Sequence, residues 1–143
     1  MEVILMDTYI YSAIFKPCEE GGYCVTFPDL PGCITEGDNL KEAMDMAKDA
    51  LELHLWGMEE DKDPIPTPTA PERIKLENKK TFIVPIEAYM PLIRNELANK
   101  AVKKTLTIPY WMNKIAESQK INFSQVLQVA LKEQLGIKEQ SKF

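Results

Sequence analysis

The chain has 143 residues and a mass of 16.3 kDa, with 45% hydrophobic residues, 27% charged residues and three cysteines. This is the composition of a soluble globular protein of one ordinary domain or two small ones, and it excludes a multidomain metabolic enzyme. The net charge of −5 conceals an asymmetry: residues 1 to 80 carry 17 acidic against 8 basic side chains, whereas residues 81 to 143 carry 5 against 9.

An acidic half repels nucleic acid and attracts a basic protein, while a mildly basic half can lie against phosphate. No apolar run approaches the roughly 18 residues of a membrane-spanning helix, and the opening MEVILMDTYI has neither the basic start nor the cleavage site of a secretion signal. A cytoplasmic protein without membrane contact is therefore expected. Cys18, Cys24 and Cys33 suit neither a disulfide framework nor a zinc site and are expected to be reduced and mostly buried.

In chain order, the apolar and aromatic run over residues 3 to 15, the turn Glu20-Gly21-Gly22 and residues 23 to 27 read as two antiparallel strands. Pro28-Asp29-Leu30-Pro31-Gly32 turns the chain, and residues 33 to 36 supply a third strand ending at Gly37. Asn39 and Glu42 form a capping-box pattern. After it, Leu40, Ala43, Met44, Ala47, Ala50, Leu51, His54, Leu55 and Met58 recur on one helical face. Gly57 and the breaker Asp61-Lys62-Asp63-Pro64 are expected to end this helix near residues 56 to 60. Residues 61 to 72, with Pro64, Pro66, Pro68 and Pro71, read as an extended connector. Residues 81 to 86 read as a fourth strand, placed at a sheet edge by Pro85. A first domain thus spans residues 1 to 86, and residues 87 to 102 are either a short helix or a linker.

Residues 103 to 137 form the second domain. Lys103 to Ile108 alternate as in a strand, and Trp111, Met112, Ile115 and Ala116 give a short helix an apolar face. Asn122 caps a second helix carrying Val126, Leu127, Ala130, Leu131 and Leu135 and ending before Gly136. So short a segment cannot build a core alone, so dimerisation is expected, with the strands pairing as a two-stranded ribbon. Leu106, Ile108, Trp111, Ile115, Val126, Leu127, Ala130 and Leu131 then form the shared core. Such a ribbon fits the major groove of DNA, and on its outward parity Lys103, Thr105 and Thr107 face the bases. The start of the last helix can hold a phosphate, with Asn122 or Ser124 adding a side-chain contact. Alternating Lys and Thr equally suit an exposed strand with no ligand.

Enzyme chemistry is poorly supported. His54 is the only histidine and lies on or beside the packed helix face, which suits a packing role better than general-base work. Asp7, Asp29, Glu36 and Asp49 could serve a two-metal nuclease only if the fold gathered them, and the glycines read as turns rather than a phosphate loop. No catalytic residue, cofactor or metal is assigned.

The ordered motifs Tyr11-Ser12-Ala13-Ile14-Phe15, Gly21-Gly22-Tyr23, Phe27-Pro28-Asp29-Leu30-Pro31-Gly32-Cys33, Thr35-Glu36-Gly37-Asp38 and Leu40-Lys41-Glu42-Ala43 resemble the amino-terminal domain of HicB-type antitoxins over about residues 3 to 60. Lys104-Thr105-Leu106-Thr107-Ile108-Pro109 and residues 121 to 131 resemble ribbon-helix-helix repressors of the Arc and MetJ type. The resemblance implies an α+β protein with a partially degenerate ribonuclease-H-like sheet that occludes a HicA-type mRNA-cleaving toxin. It further implies a homodimeric or tetrameric carboxy-terminal domain that binds a two-fold operator and represses its own operon. A residual metal-dependent nuclease and a stand-alone repressor are the alternatives. Relatives that read DNA with Arg, Asn or Gln differ from this chain, which offers Thr105 and Thr107.

Overall fold

A computed structural model describes residues 5 to 137; Val3 and Ile4, where the first strand was expected to begin, lie outside the described residues. The chain divides into two compact units at residues 101 and 102.

The first unit is built on β1 (Thr8–Pro17), in which Tyr9, Tyr11, Ala13 and Phe15 alternate onto one face and are buried. The hairpin turn at Gly21 and Gly22, with φ of 97° and 80°, returns the chain as β2 (Tyr23–Thr26). Two consecutive turns then follow. Leu30 N–H donates to Phe27 O and Cys33 N–H to Leu30 O, both at 3.0 Å. In the second, Pro31 and Gly32, with φ of 90°, occupy the positions a type II turn requires. β3 (Ile34–Gly37) pairs with β2, and β4 (Phe82–Tyr89) pairs with β1, giving an antiparallel sheet in the order β3-β2-β1-β4. Pro85 does lie on an edge strand, and that strand runs three residues past the expected end at 86. Glu52 Oε2 accepts from Tyr89 N–H at 2.8 Å, which covers part of its free edge.

Helix α1 (Leu40–Glu60) starts where expected: Asn39 Oδ1 accepts from Glu42 N–H at 2.8 Å. The return arm comes from Asp38 N–H, which donates to Glu42 Oε2 at 3.3 Å. Ala43, Ala47, Leu51 and Leu55 are its buried stripe, while Leu40 and Met44 of the expected face are exposed. Two alanines in the stripe let the helix lie close to the sheet, above all at β3, where Gly37 meets the backbone of Ala43. Gly57 stays inside the helix, and the stop is made by Lys62 with φ of 58°. Asp63 N–H donates to Met58 O at 2.9 Å and Lys62 N–H to Glu59 O at 3.2 Å, closing a Schellman motif.

The connecting segments gain definition in the structure. The extended proline-rich connector is pinned to the first unit. Asp29 accepts from Thr69 N–H at 2.7 Å and Thr69 Oγ1–H at 2.6 Å, the Tyr11 hydroxyl donates to Pro66 O, and Ile65 packs on the core. Residues 90 to 98 form a helix, α2 (Met90–Ala98), and the first unit extends to residue 101 instead of closing at 86. Met90 is fully buried, and Arg94 donates to Glu59 Oε1 at 2.9 Å and Glu59 Oε2 at 2.6 Å, joining α2 to the end of α1.

The second unit contains α3 (Tyr110–Ser118) and α4 (Phe123–Leu135). Asn122 Oδ1 accepts from Gln125 N–H at 3.1 Å, and Gly136 with φ of 71° closes α4. The strand expected over residues 103 to 108 is not formed in the single chain. A strand exists only through ladder hydrogen bonds, and among the described residues no ladder pair involves this segment.

Candidate functional site

Two surfaces are candidates for function. The first is the sheet face turned away from α1. Side chains on the opposite parity to the buried tyrosines of β1 project there. The pairing register aligns Ile34, Thr26, Ile14 and Ile83 in one row across all four strands. Ile34 is 67% exposed and Ile10 is 55% exposed, with Tyr89 at the end of β4 also exposed. Antiparallel sheets commonly expose one face, but such a face is ordinarily polar, so this row of three isoleucines and Thr26 is a candidate contact surface. Glu36 and Glu87 share this parity beside it. The sequence carried a signal for this face: β1 is apolar on both parities, as in a strand covered on both sides.

The second surface is the carboxy-terminal unit itself. None of its described residues is buried. Leu106, Ile108, Trp111, Ile115, Val126, Ala130 and Leu131 of the expected shared core are exposed, Trp111 by 62%, and Leu127 is half-buried. Val126 and Ala130 line, with Ile121 and Val129, an open groove of about 560 Å³. Lys103, Thr105 and Thr107 are solvent-exposed on the segment before α3. Asn122 uses its side-chain oxygen as the cap of α4, and Ser124 Oγ accepts from Gln128 Nε2–H at 3.1 Å. The two lie at the start of α4, where first-turn amides lack helical partners.

The carboxylates considered for a nuclease go separate ways. Asp29 holds Thr69, Asp7 accepts from Arg94 Nη1–H at 3.3 Å, Glu36 lies on the outer sheet face and Asp49 on the exposed side of α1. Among the described residues no group of three His, Cys, Asp or Glu side chains is arranged to hold a metal ion. His54 is half-buried and lines a groove with Asp29, Leu53 and Asp61. Burial pushes the Tyr11 hydroxyl up to about 12, with the charges of Tyr9 and Asp29 adding to the effect, so Tyr11 serves as a donor to the connector and not as an acid. No helix among the described residues is long and apolar enough to cross a membrane.

Comparison with known proteins places the chain. It is 39% identical over 89 residues to a 14.9 kDa protein from the rep-hol intergenic region of Haemophilus phage HP1, covering 62% of this chain and 65% of that protein. It is 35% identical over 100 residues to antitoxin HicB 1 of Photorhabdus laumondii, covering 66% of this chain and 64% of that one. The chain thus spans just under two thirds of the length of these curated relatives. A chain in a toxin-antitoxin complex from Streptococcus pneumoniae shares the fold, with a TM-score of 0.58 at 24% identity over 89% of this chain and 99% of that one. The family model of the HicB-like antitoxin of bacterial toxin-antitoxin systems matches residues 11 to 130, running through both units, and the chain belongs to that family.

Proposed function

We propose that this chain is an antitoxin that binds and occludes a small HicA-type toxin through its first unit, and represses its own operon through its second. The observation that carries the reading is the family match across residues 11 to 130. The open isoleucine row is the surface this reading assigns to the toxin. Its apolar centre provides close contact, and the acidic character of the first 80 residues favours a basic partner. No bond is made or broken in this role.

The second unit works as a ribbon-helix-helix dimer. Segments 103 to 108 of two copies pair as a ribbon, and Leu106, Ile108, Trp111, Ile115, Val126, Leu127, Ala130 and Leu131 bury one another. The exposure of all of these but the half-buried Leu127 in a single chain supports the assignment. Lys103, Thr105 and Thr107 face the operator, and the start of α4 with Asn122 and Ser124 sits on a phosphate. The four-stranded antiparallel sheet backed by one long helix supports a degenerate ribonuclease-H-like first unit.

The test is co-expression with the adjacent small reading frame, followed by size exclusion with light scattering. A complex containing two copies of this chain and the small basic protein is expected. Ile34→Lys, at an exposed position that folding tolerates, is expected to release the partner while leaving the dimer intact. A homo-oligomer alone, despite verified expression of the partner, overturns the antitoxin reading and favours a stand-alone repressor.

A further inference from the structure

We propose that Cys18 and Cys24 form an oxidisable dithiol, a modification site on the β1–β2 hairpin that a hydroperoxide converts into an intramolecular disulfide. The hairpin brings them together. Lys16 pairs with Cys24 and Pro17 with Tyr23, and the ladder continues as Cys18 N–H donates to Gly22 O at 3.0 Å. Cys18 and Cys24 therefore sit diagonally on one side of the hairpin, on the parity of Lys16. The Cys18 thiol donates to Lys16 O at 4.0 Å and lies close enough to the Cys24 thiol to be shifted by it. Gly21 and Gly22 hold the turn tight, so the pairing is set by the fold and not by a chance encounter in a loop.

Access and selectivity also favour this pair. Cys18 and Cys24 are half-exposed, whereas Cys33 is buried. Cys18 lines an open cavity of about 520 Å³ with Glu19, Glu20, Glu36 and Asp38, wide enough for a small oxidant. The neighbouring Cys24 thiol holds the Cys18 thiol above its ordinary range, with burial and the charges of Cys24 and Glu36 adding to this and Lys16 opposing it. Burial alone pushes Cys33 up to about 11. Oxidation accelerates as pH rises because the thiolate is the nucleophile.

The reaction balances. A thiolate of the pair attacks one peroxide oxygen, the O–O bond breaks with loss of hydroxide or alkoxide, and a sulfenic acid forms. The second thiol displaces that hydroxyl as water and closes the S–S bond. Two electrons and two thiol hydrogens leave the protein, and the hydroperoxide is reduced to water and water or alcohol.

The test treats the full, natively folded chain with hydrogen peroxide at mildly alkaline pH, then counts thiols and locates links by intact mass and tandem mass spectrometry. Two thiols are expected to disappear per monomeric chain. The mass should fall by two hydrogens, with a link between Cys18 and Cys24 that dithiothreitol reverses. Cys24→Ser abolishes the link and Cys33→Ala keeps it. Circular dichroism confirms that each variant is folded. Added oxygen on Cys18 or Cys24 without a link, links only between chains, or a link unchanged in Cys24→Ser overturns the proposal.

Discussion

The ion pair between Arg94 and Glu59 is expected to decide whether α2 belongs to the first unit. Glu59 is 5% exposed and Arg94 26% exposed, and the guanidinium grips both carboxylate oxygens while also donating to Met6 O at 2.7 Å. Truncation in Arg94→Met strands a buried carboxylate, a loss of about 3 kcal/mol for a pair of this burial. With a urea m-value of about 1.5 kcal/mol/M the unfolding midpoint falls by about 2 M. Of the two tryptophans, Trp56 packs against the core and Trp111 lies in the second unit, so Trp56 fluorescence in a Trp111→Phe background reads the first unit alone. Removing both charges in Glu59→Met/Arg94→Met is expected to recover most of the loss, because no ion is left unpaired. A loss below about 0.5 kcal/mol for Arg94→Met, the range of an exposed surface pair, refutes the reasoning.

A Cβ at Gly37 would lie 2.3 Å from Ala43 N, backbone against backbone, so Gly37→Ala is expected to cost about 3 kcal/mol or more by forcing α1 off β3. Gly57 faces open space within α1, so Gly57→Ala should raise stability by roughly 0.5–1 kcal/mol; urea titration checks both signs. Tyr11 holds its proton in the fold up to about 12 against 10.0 when free, so between these values the folded state binds the extra proton. Stability of the first unit is therefore complete below pH 10 and falls as pH rises towards 12, and Tyr11→Phe should flatten that slope in urea midpoints measured against pH. Asp29→Ala removes both anchors of Thr69, a loss of roughly 1.5–3 kcal/mol for a hydrogen-bonded charge, and should speed tryptic cleavage after Arg73.

Local chemistry made much of the first unit legible. Asn39 and Glu42 announce the start of α1, the alternating tyrosines of β1 announce its buried face, and Pro85 announces an edge strand. What the sequence hid depends on long-range contacts. The connector reads only as extended, without its anchors, because Asp29 and Tyr11 lie far from Thr69 and Pro66 in the chain. The helix over residues 90 to 98 stayed ambiguous because Arg94 acquires its meaning from Glu59. The end of α1 at Glu60 falls where the breaker Asp61-Lys62-Asp63-Pro64 puts it, and only the positive φ of Lys62 that closes the Schellman turn is invisible in composition. Only the apolar character of both parities in β1 pointed to the outer isoleucine row, and the thiol pair emerges only once the hairpin register is known.

The most direct test of the antitoxin reading is RNA cleavage by the co-encoded small basic protein, titrated with this chain and followed on a gel. Cleavage is expected to fall in proportion to added chain and to stop at equivalence, with Ile34→Lys far weaker. Undiminished cleavage in the presence of excess folded chain would contradict it.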